Sequence, residues 1–562
     1  MKQSAPLSSA QYGIYVECVG HTGEALYNLP YIYILDRKLD EERLRHAIES
    51  FILSHPTFFT RISIDDNGEP VQTIDSEEWN LIVEDAGEMQ SSLSTLTGLQ
   101  CLVEPFDIIG GRLFNVRLFR GTDHYYFFAD FLHIIADGFS QKVMLREIDS
   151  FYRGEVVDAE QVSLAEMAVE EQEERKSPAF EEAKQWYATN FDCSDTYTQL
   201  MPDLEEPEHK EAHFLRTLGV SMDRVDAFCR DNGVFRSTFF TAAYSYLLAR
   251  YNNESESLFT TIYNGRDDKR LGRTIGMFIK TLPVYAKFDA ETTVLDFLRA
   301  IQEQMRGCRE HSIYSFADIM HDLQVQSNSM FAWHGNLFSD SLLGGLPLEI
   351  VRIGNSTLSA SFYLKAFIRS GHYQVKAEYN ANEYSQPLVA AFVVSYEAVI
   401  EGMLSATLLR DIDITTPQQV EKLDGFNRND ADYDDTQTIV SLFRRQAQAT
   451  PDNIAVIFAE KTYTYAQVDD MSDRIAATIA AKGLGEGDVV SVLIPRGKWM
   501  VTASLGVLKA GCAYQPLDPS YPTERLNFMV QDAGARLLIA DASLRPLINL
   551  YPKGVSDSCR NP

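Results

Sequence analysis

Along Phe127–Ser140 an apolar run, Phe-Phe-Ala-Asp-Phe-Leu, gives way to His133, then to an Asp-Gly pair and a serine. A strand buried on both faces reads this way, because neither side of it needs polar side chains. Beyond Gly138 the period changes. Phe139, Val143, Met144, Ile148 and Phe151 recur at three- and four-residue steps, which marks one face of a helix. The order strand, polar corner, helix lets His133 emerge at a strand end, with Gly138 and Ser140 opening the helix beside it.

The same two periods organise the rest of the chain. Leu39, Leu44, Ala47, Ile48 and Phe51 predict an amphipathic helix over Leu39–Ser54, and Asp65–Gly68 a turn between strands. Ser237–Tyr251 predicts a strongly apolar helix with Ser237 as cap, followed by a buried strand at Leu258–Tyr263. Two alternating runs, Ser361–Ile368 and Tyr373–Tyr379, flank Arg369–His372 and predict a hairpin, with a closing helix at Leu388–Leu404. Ser163–Asn190 is acidic, then mixed, and places a boundary between two lobes near residue 176. Asn427–Thr436 is polar, with no apolar period, and reads as a linker. Past it come a helix at Ser441–Ala449, a strand after Pro451 and a long helix from Thr462–Val468 to near Gly483.

Composition narrows what this chemistry serves. With 562 residues the chain exceeds a single core of ~250–300 residues. A net charge of −30 argues against nucleic acid and against an anionic membrane. An acidic partner would have to dock on a local basic patch. Seven cysteines without metal-like spacing imply reduced thiols and no metal site, and there is no signal pattern or long uncharged apolar run. The expectation is a cytoplasmic monomer.

His-Ile-Ile-Ala-Asp-Gly-Phe-Ser, from His133, resembles the His-His-x-x-x-Asp-Gly signature of nonribosomal peptide synthetase condensation domains, with Leu132 in place of the first histidine. Other segments follow in the family's order. Leu7–Tyr15 resembles the first motif, with Ser8 or Ser9 also readable as a helix cap, and His55–Ile62 is a loose copy of the second. Ile275–Val284 resembles the fifth motif, with Lys280 replacing an asparagine; His311–Phe316 falls where the sixth lies, and Trp186 where the family has a tryptophan. Thr462–Val468 and Leu508–Leu526 resemble the first two core motifs of amino-acid-activating adenylation domains.

The resemblance implies an α/β (α+β sandwich) fold: two chloramphenicol-acetyltransferase-like lobes in a V shape, plus a partial α/β adenylation N-terminal subdomain. The expected boundaries are 1–175 and 176–425 for the lobes, 426–437 for the linker and 438–562 for the adenylation fragment. That fragment lacks the phosphate loop, so its ATP site is expected to be incomplete. The implied reaction joins a donor acyl or aminoacyl thioester to the amine of a carrier-bound amino acid. His133 is the expected catalytic group. Gly138 and Ser140 are expected to serve the oxyanion or the loop. Asp137 should be a structural group with Arg266 as its partner, and Ser9, Gln11, Gly276 and Thr281 are tunnel candidates. Partners are donor and acceptor carrier proteins, whose phosphopantetheine arms tether the substrates. Because the domain begins within ten residues of Met1, an initiating, N-acylating role is expected, with acyl-CoA one candidate donor. The rivals are an epimerisation-type homologue, a heterocyclising domain (disfavoured by His133, despite Asp130 nearby) and a catalytically impaired docking module suggested by Leu132 and Lys280.

Overall fold

The computed structural model describes residues 4–25, 27–75, 77–87, 99–193, 196–206, 210–336, 341–353 and 361–544. The chain divides into two compact units, Met1–Phe426 and Asn427–Pro562.

The strands of the first unit are β1 (Ser4–Pro6), β2 (Tyr31–Asp36), β3 (Thr60–Ile64), β4 (Pro70–Ile74), β5 (Ile82–Asp85), β6 (Phe114–Arg120), β7 (His124–Phe131), β8 (Glu211–Thr217), β9 (Glu256–Tyr263), β10 (Lys280–Lys287), β11 (Ser329–Gly335), the short β12 (Leu342–Leu343) and β13 (Leu346–Pro347), β14 (Glu349–Arg352), β15 (Phe362–Arg369) and β16 (His372–Asn380). They build a five-stranded sheet in the order β14-β2-β7-β6-β5 and a six-stranded sheet in the order β10-β9-β11-β15-β16-β8. A smaller sheet, β1-β4-β3, adjoins the first helix.

Strand β7 lies at the centre of the first sheet, antiparallel to both neighbours, so both of its faces must be apolar. Phe127, Ala129 and Phe131 pack with Leu44, Ile48 and Phe51 of helix Glu41–Ser54 and with Val143, Met144 and Ile148 of helix Gly138–Arg153. Tyr126 and Phe128 point the other way, against Ile32, Phe119 and Ile353. In the second sheet Leu364, Ala366, Val375 and Ala377 pack against helices Arg236–Tyr251 and Gln386–Met403. The alternate residues share the opposite face. Tyr363 stands directly across from Glu378, and Lys365 from Lys376.

The helix at Arg236–Tyr251 is preceded by Phe235, not capped by Ser237: Phe235 has no capping side chain, and its N–H donates to Gln302 Oε1 at 2.9 Å. The hairpin of β15 and β16 turns at Ser370 and Gly371, both with positive φ. A larger departure concerns the division near residue 176. β14 comes from the second half of the sequence, yet it pairs antiparallel with β2 in the first half's sheet.

The second unit holds a parallel sheet, β19 (Val489–Leu493) between β20 (Ala513–Pro516) and β21 (Leu537–Ala540), preceded by a hairpin of β17 (Ile454–Phe458) and β18 (Lys461–Thr464). Val490, Val492, Ala503, Val507 and Ile479 form its core. Thr464 caps helix Tyr465–Ala481 in a box with Gln467, which the Thr-Tyr-Ala-Gln sequence anticipates. Among the described residues no helix is long and apolar enough to cross a membrane, and no cluster of three or more His, Cys, Asp or Glu could hold a metal ion.

Candidate active site

The chain leaves β7 at Phe131 and folds into a tight turn. Leu132 donates its N–H to the carbonyl of Leu113 at 2.9 Å and is buried in the core; His133 donates its N–H to the carbonyl of Tyr27 at 2.8 Å. The turn then closes on Asp137, which caps helix Gly138–Arg153. Asp137 Oδ1 accepts from the N–H of Ser140 at 2.7 Å and from its hydroxyl at 2.8 Å.

A segment 129 residues further along the chain locks this cap. Arg266 donates through Nη2 to both Asp137 oxygens, at 3.2 and 3.3 Å, and through Nη1 to the carbonyls of Leu271 and Thr274 at 2.8 Å each. Its guanidinium lies between the rings of Phe139 and Phe278, 4.7 and 4.6 Å from their centroids. The N–H of Phe278 donates to Asp137 Oδ2 at 3.2 Å. Gly265 permits this approach: its φ is +64°, and a Cβ there would meet the carbonyl oxygen of Phe278 at 2.0 Å. The ion pair is fully buried, so both charges depend on one another.

His133 is half-buried, with its Nδ1 enclosed and lacking a well-formed hydrogen bond. The accessible part of the residue therefore lies elsewhere on it. The Tyr27 ring meets the imidazole edge-on at 6.5 Å. Burial pushes the imidazole pKa below its usual value; Asp137 and nearby backbone oppose this, and the positive charge of Arg352 reinforces it. The ring is neutral at pH 7.

The remaining sequence candidates separate into support and surface. Gln11 and Gly276, two of the tunnel candidates, are both buried. Gln11 completes a capping box with Ser8 and donates to the carbonyl of Ile134 at 3.2 Å, bracing the back of the histidine turn. The Gly276 carbonyl accepts from the Ser140 hydroxyl at 3.1 Å, and a Cβ there would strike Phe278 and Leu164. Ser140 is thereby committed to Asp137, Gly276 and Arg266, leaving no hydroxyl proton for an oxyanion. Gly138 is half-buried at the first position of its helix. Ser9 and Thr281 are also half-buried; the N–H of Ser9 donates to Glu171 Oε1 at 2.7 Å, and Ser8, not Ser9, caps the first helix.

Two other histidines serve packing. His55 Nε2 bonds Glu147 Oε2 at 2.9 Å and Nδ1 bonds Glu160 Oε2 at 3.2 Å. Burial pulls its pKa down, but the two carboxylates outweigh this and raise it. His311 stacks on Trp186 at 4.7 Å, and Gly307 leaves room for that indole. Lys280, deep in the first unit, donates to the carbonyl of Ser312 at 3.0 Å, and burial lowers its pKa. Asp130 turns away from the catalytic corner: Asn28 donates to it at 2.7 Å, and burial pushes its pKa up to about 7.

Tyr27 and Arg352 reach His133 without any sequence pattern marking them. Tyr27 carries a positive φ of 60°, visible only in coordinates. Arg352 arrives through the β14–β2 ladder.

A five-stranded and a six-stranded sheet, and a histidine turn whose cap is held by an arginine from far along the chain, make a mixed α/β fold. The family model described as "Condensation domain" matches residues 1–424, and that described as "AMP-binding enzyme" matches residues 443–558. The chain belongs to the condensation-domain family, and the start of an AMP-binding domain follows. It is similar to tyrocidine synthase 3 of Brevibacillus parabrevis, at 28% identity over 97% of this chain and 9% of the relative. It is also similar to bacitracin synthase 3 of Bacillus licheniformis, at 26% identity over 97% and 9%. The chain thus spans about a tenth of those relatives. Among solved structures, the four-domain nonribosomal peptide synthetase holo-AB3403, bound to AMP and glycine, matches with a TM-score of 0.75 at 21% identity, over 96% of this chain and 44% of that one. The first condensation domain of the calcium-dependent antibiotic synthetase, in complex with a substrate analogue, matches with a TM-score of 0.61 at 16% identity, over 74% and 100%. These likenesses concern the fold.

Proposed function

We propose that residues 1–426 join a donor acyl or aminoacyl thioester to the amine of a carrier-bound amino acid, with His133 facing the reactants. The observation that carries this reading is a half-open, neutral imidazole on a rigid turn, its Nδ1 enclosed. Nε2 is then the nitrogen offered to the amine. The amine nitrogen bonds to the thioester carbonyl carbon, an oxyanion forms, and the carbon–sulfur bond breaks to release the thiol of the carrier's phosphopantetheine arm.

A lowered pKa makes His133 a weak base towards a free ammonium ion. It suits a group that holds a neutral amine by its lone pair and accepts the proton as the carbon–nitrogen bond forms, when that nitrogen becomes far more acidic. The N–H groups that open helix Gly138–Arg153 have no acceptor within the helix and favour a nearby negative charge, so Gly138 is the candidate for the oxyanion. Two tethered reactants supply proximity, worth effective molarities of ~10⁵ M or more when well aligned. Asp137 and Arg266 act through the turn and are positioning residues.

The test is amide formation by the full chain from loaded donor and acceptor carriers. His133→Ala should lower the rate ~10²–10⁴-fold, the range for general acid–base groups, while thermal unfolding stays cooperative. Equal rates would favour the docking-module reading instead. Offering the same acyl group on a carrier and as acyl-CoA distinguishes the two donor sources.

A further inference from the structure

A second set of charges lies beside the imidazole. On the face of the six-stranded sheet turned from its helices, Lys365 and Lys376 stand opposite each other, with Glu378 one pair further along. Lys365 Nζ lies 2.5 Å and Lys376 Nζ 2.9 Å from the Glu378 carboxylate. Arg352 approaches the same carboxylate from β14, at 3.9 Å. Its charge is felt at His133, at His334 and at Glu211, so one cluster bridges the second sheet and the catalytic corner.

The arrangement exceeds what a cross-strand staple needs. One carboxylate is satisfied by one well-placed cation, and Lys365 is that cation; Arg352 sits at the outer limit of pairing distance. The other carboxylate in reach, Glu211, has its pKa pushed up by burial and by Glu378, which weakens it as a counter-charge. His334, with its pKa pulled down to about 4 by burial and by Lys365, is neutral. Burial also draws the Lys365 pKa down to about 8, a mark of crowded positive charge. Glu378 and Lys365 are 6% and 13% exposed, whereas Lys376 and Arg352 keep 32% and 39% of their side-chain surface open despite the depth of Arg352 in the protein. Part of each of these two side chains is therefore open to solvent. In a chain of net charge −30, a local positive surplus attracts anions against the overall field.

We propose that Arg352 and Lys376 form a subsite selecting a substrate whose transferred acyl or aminoacyl group carries a carboxylate. This rests on the amide-forming reading above and names the chemical class of its substrate. Arg352 provides a planar fork suited to a carboxylate, Lys376 a second charge, and the Lys365–Glu378 pair holds both in place.

The test uses the full chain with matched pairs. The donors are succinyl and succinamoyl thioesters of one carrier, and the acceptors are aspartyl and asparaginyl carriers. Wild type should use the carboxylate member of one pair ~10-fold or more faster, the worth of one charge-assisted contact. Arg352→Gln should erase that preference, read as the ratio of rates for the two members of the pair. No preference in either pair, or a preference that survives Arg352→Gln, overturns the proposal. So does an equal loss for charged and neutral carrier-bound substrates that is absent with N-acetylcysteamine thioesters, because the cations would then serve the phosphate of the carrier arm. Calorimetric binding of unreactive thioether analogues of both pairs is read apart from turnover. Charge selection without amide formation would remove the reaction and keep the subsite; amide formation without selection would do the reverse.

Discussion

His55 and His133 sit in the same half of the first unit, each where a secondary-structure element ends, and their surroundings are opposite. His55 has a carboxylate on each nitrogen, and the two together favour the charged ring against its burial. His133 has an enclosed Nδ1, burial that disfavours charge and Arg352 that disfavours it further. A structural histidine here is one whose partners fill both nitrogens, and a reactive one is held by its backbone with a nitrogen left over. The environment, more than the residue type, separates the roles.

The comparison breaks most sharply at His133. His133→Ala should cost ~10²–10⁴-fold in amide formation, whereas His55→Gln should leave the rate within a few-fold at temperatures where the variant is folded, both read by product mass spectrometry. Next come the buried charges. Arg266→Ala strands Asp137 and should lower stability by ~3–5 kcal/mol in urea unfolding, with the histidine turn disordered in the same variant. Asp137→Asn keeps the shape of the cap but leaves the buried Arg266 without its counter-charge, so a loss of the same order is expected in the same measurement. His55→Gln exposes Glu147 and Glu160 to one another, with Arg273 still 3.0 Å from Glu147, so a smaller loss of ~1–3 kcal/mol is expected.

The smallest effect is the pH dependence, and it runs in opposite directions. The folded pKa of His55 is raised, so its stabilisation is complete below the unfolded value of about 6.5 and is lost as pH rises through the folded pKa. The folded pKa of His133 is lowered, so its contribution is complete above about 6.5 and is lost as pH falls towards the folded pKa. Imidazole NMR titrations should resolve two midpoints on either side of 6.5. Thermal melts of His55→Gln should show a shallower loss of stability above that pH than wild type, and parallel curves would refute the assignment.

Much of this corner is legible in the chain itself. The passage from β7 through His133 to an Asp-capped helix is local, written in residue periods and one capping pair, and Arg266 follows from the family order of motifs. The partners of His55 are not legible, because Glu147 and Glu160 look like ordinary solvated acids until the helix Gly138–Arg153 is laid beside the helix Glu41–Ser54. Gln11 misleads for a related reason: a polar residue in a motif suggests a surface, but here a capping box and the Ile134 carbonyl use its amide in the interior. Arg352 is the least legible. Glu-Ile-Val-Arg is a short strand of no distinction, and its place beside His133 depends on pairing with β2 more than three hundred residues earlier.

That pairing also ties distant parts of the first unit together. Glu349–Arg352 is paired antiparallel with Tyr31–Ile34, so a short strand from late in the first unit completes the edge of a sheet built mostly from its early residues. Loss of that pairing would expose the unpaired edge of β2. Because Arg352 is its last residue, the same change would move a cation away from Glu378.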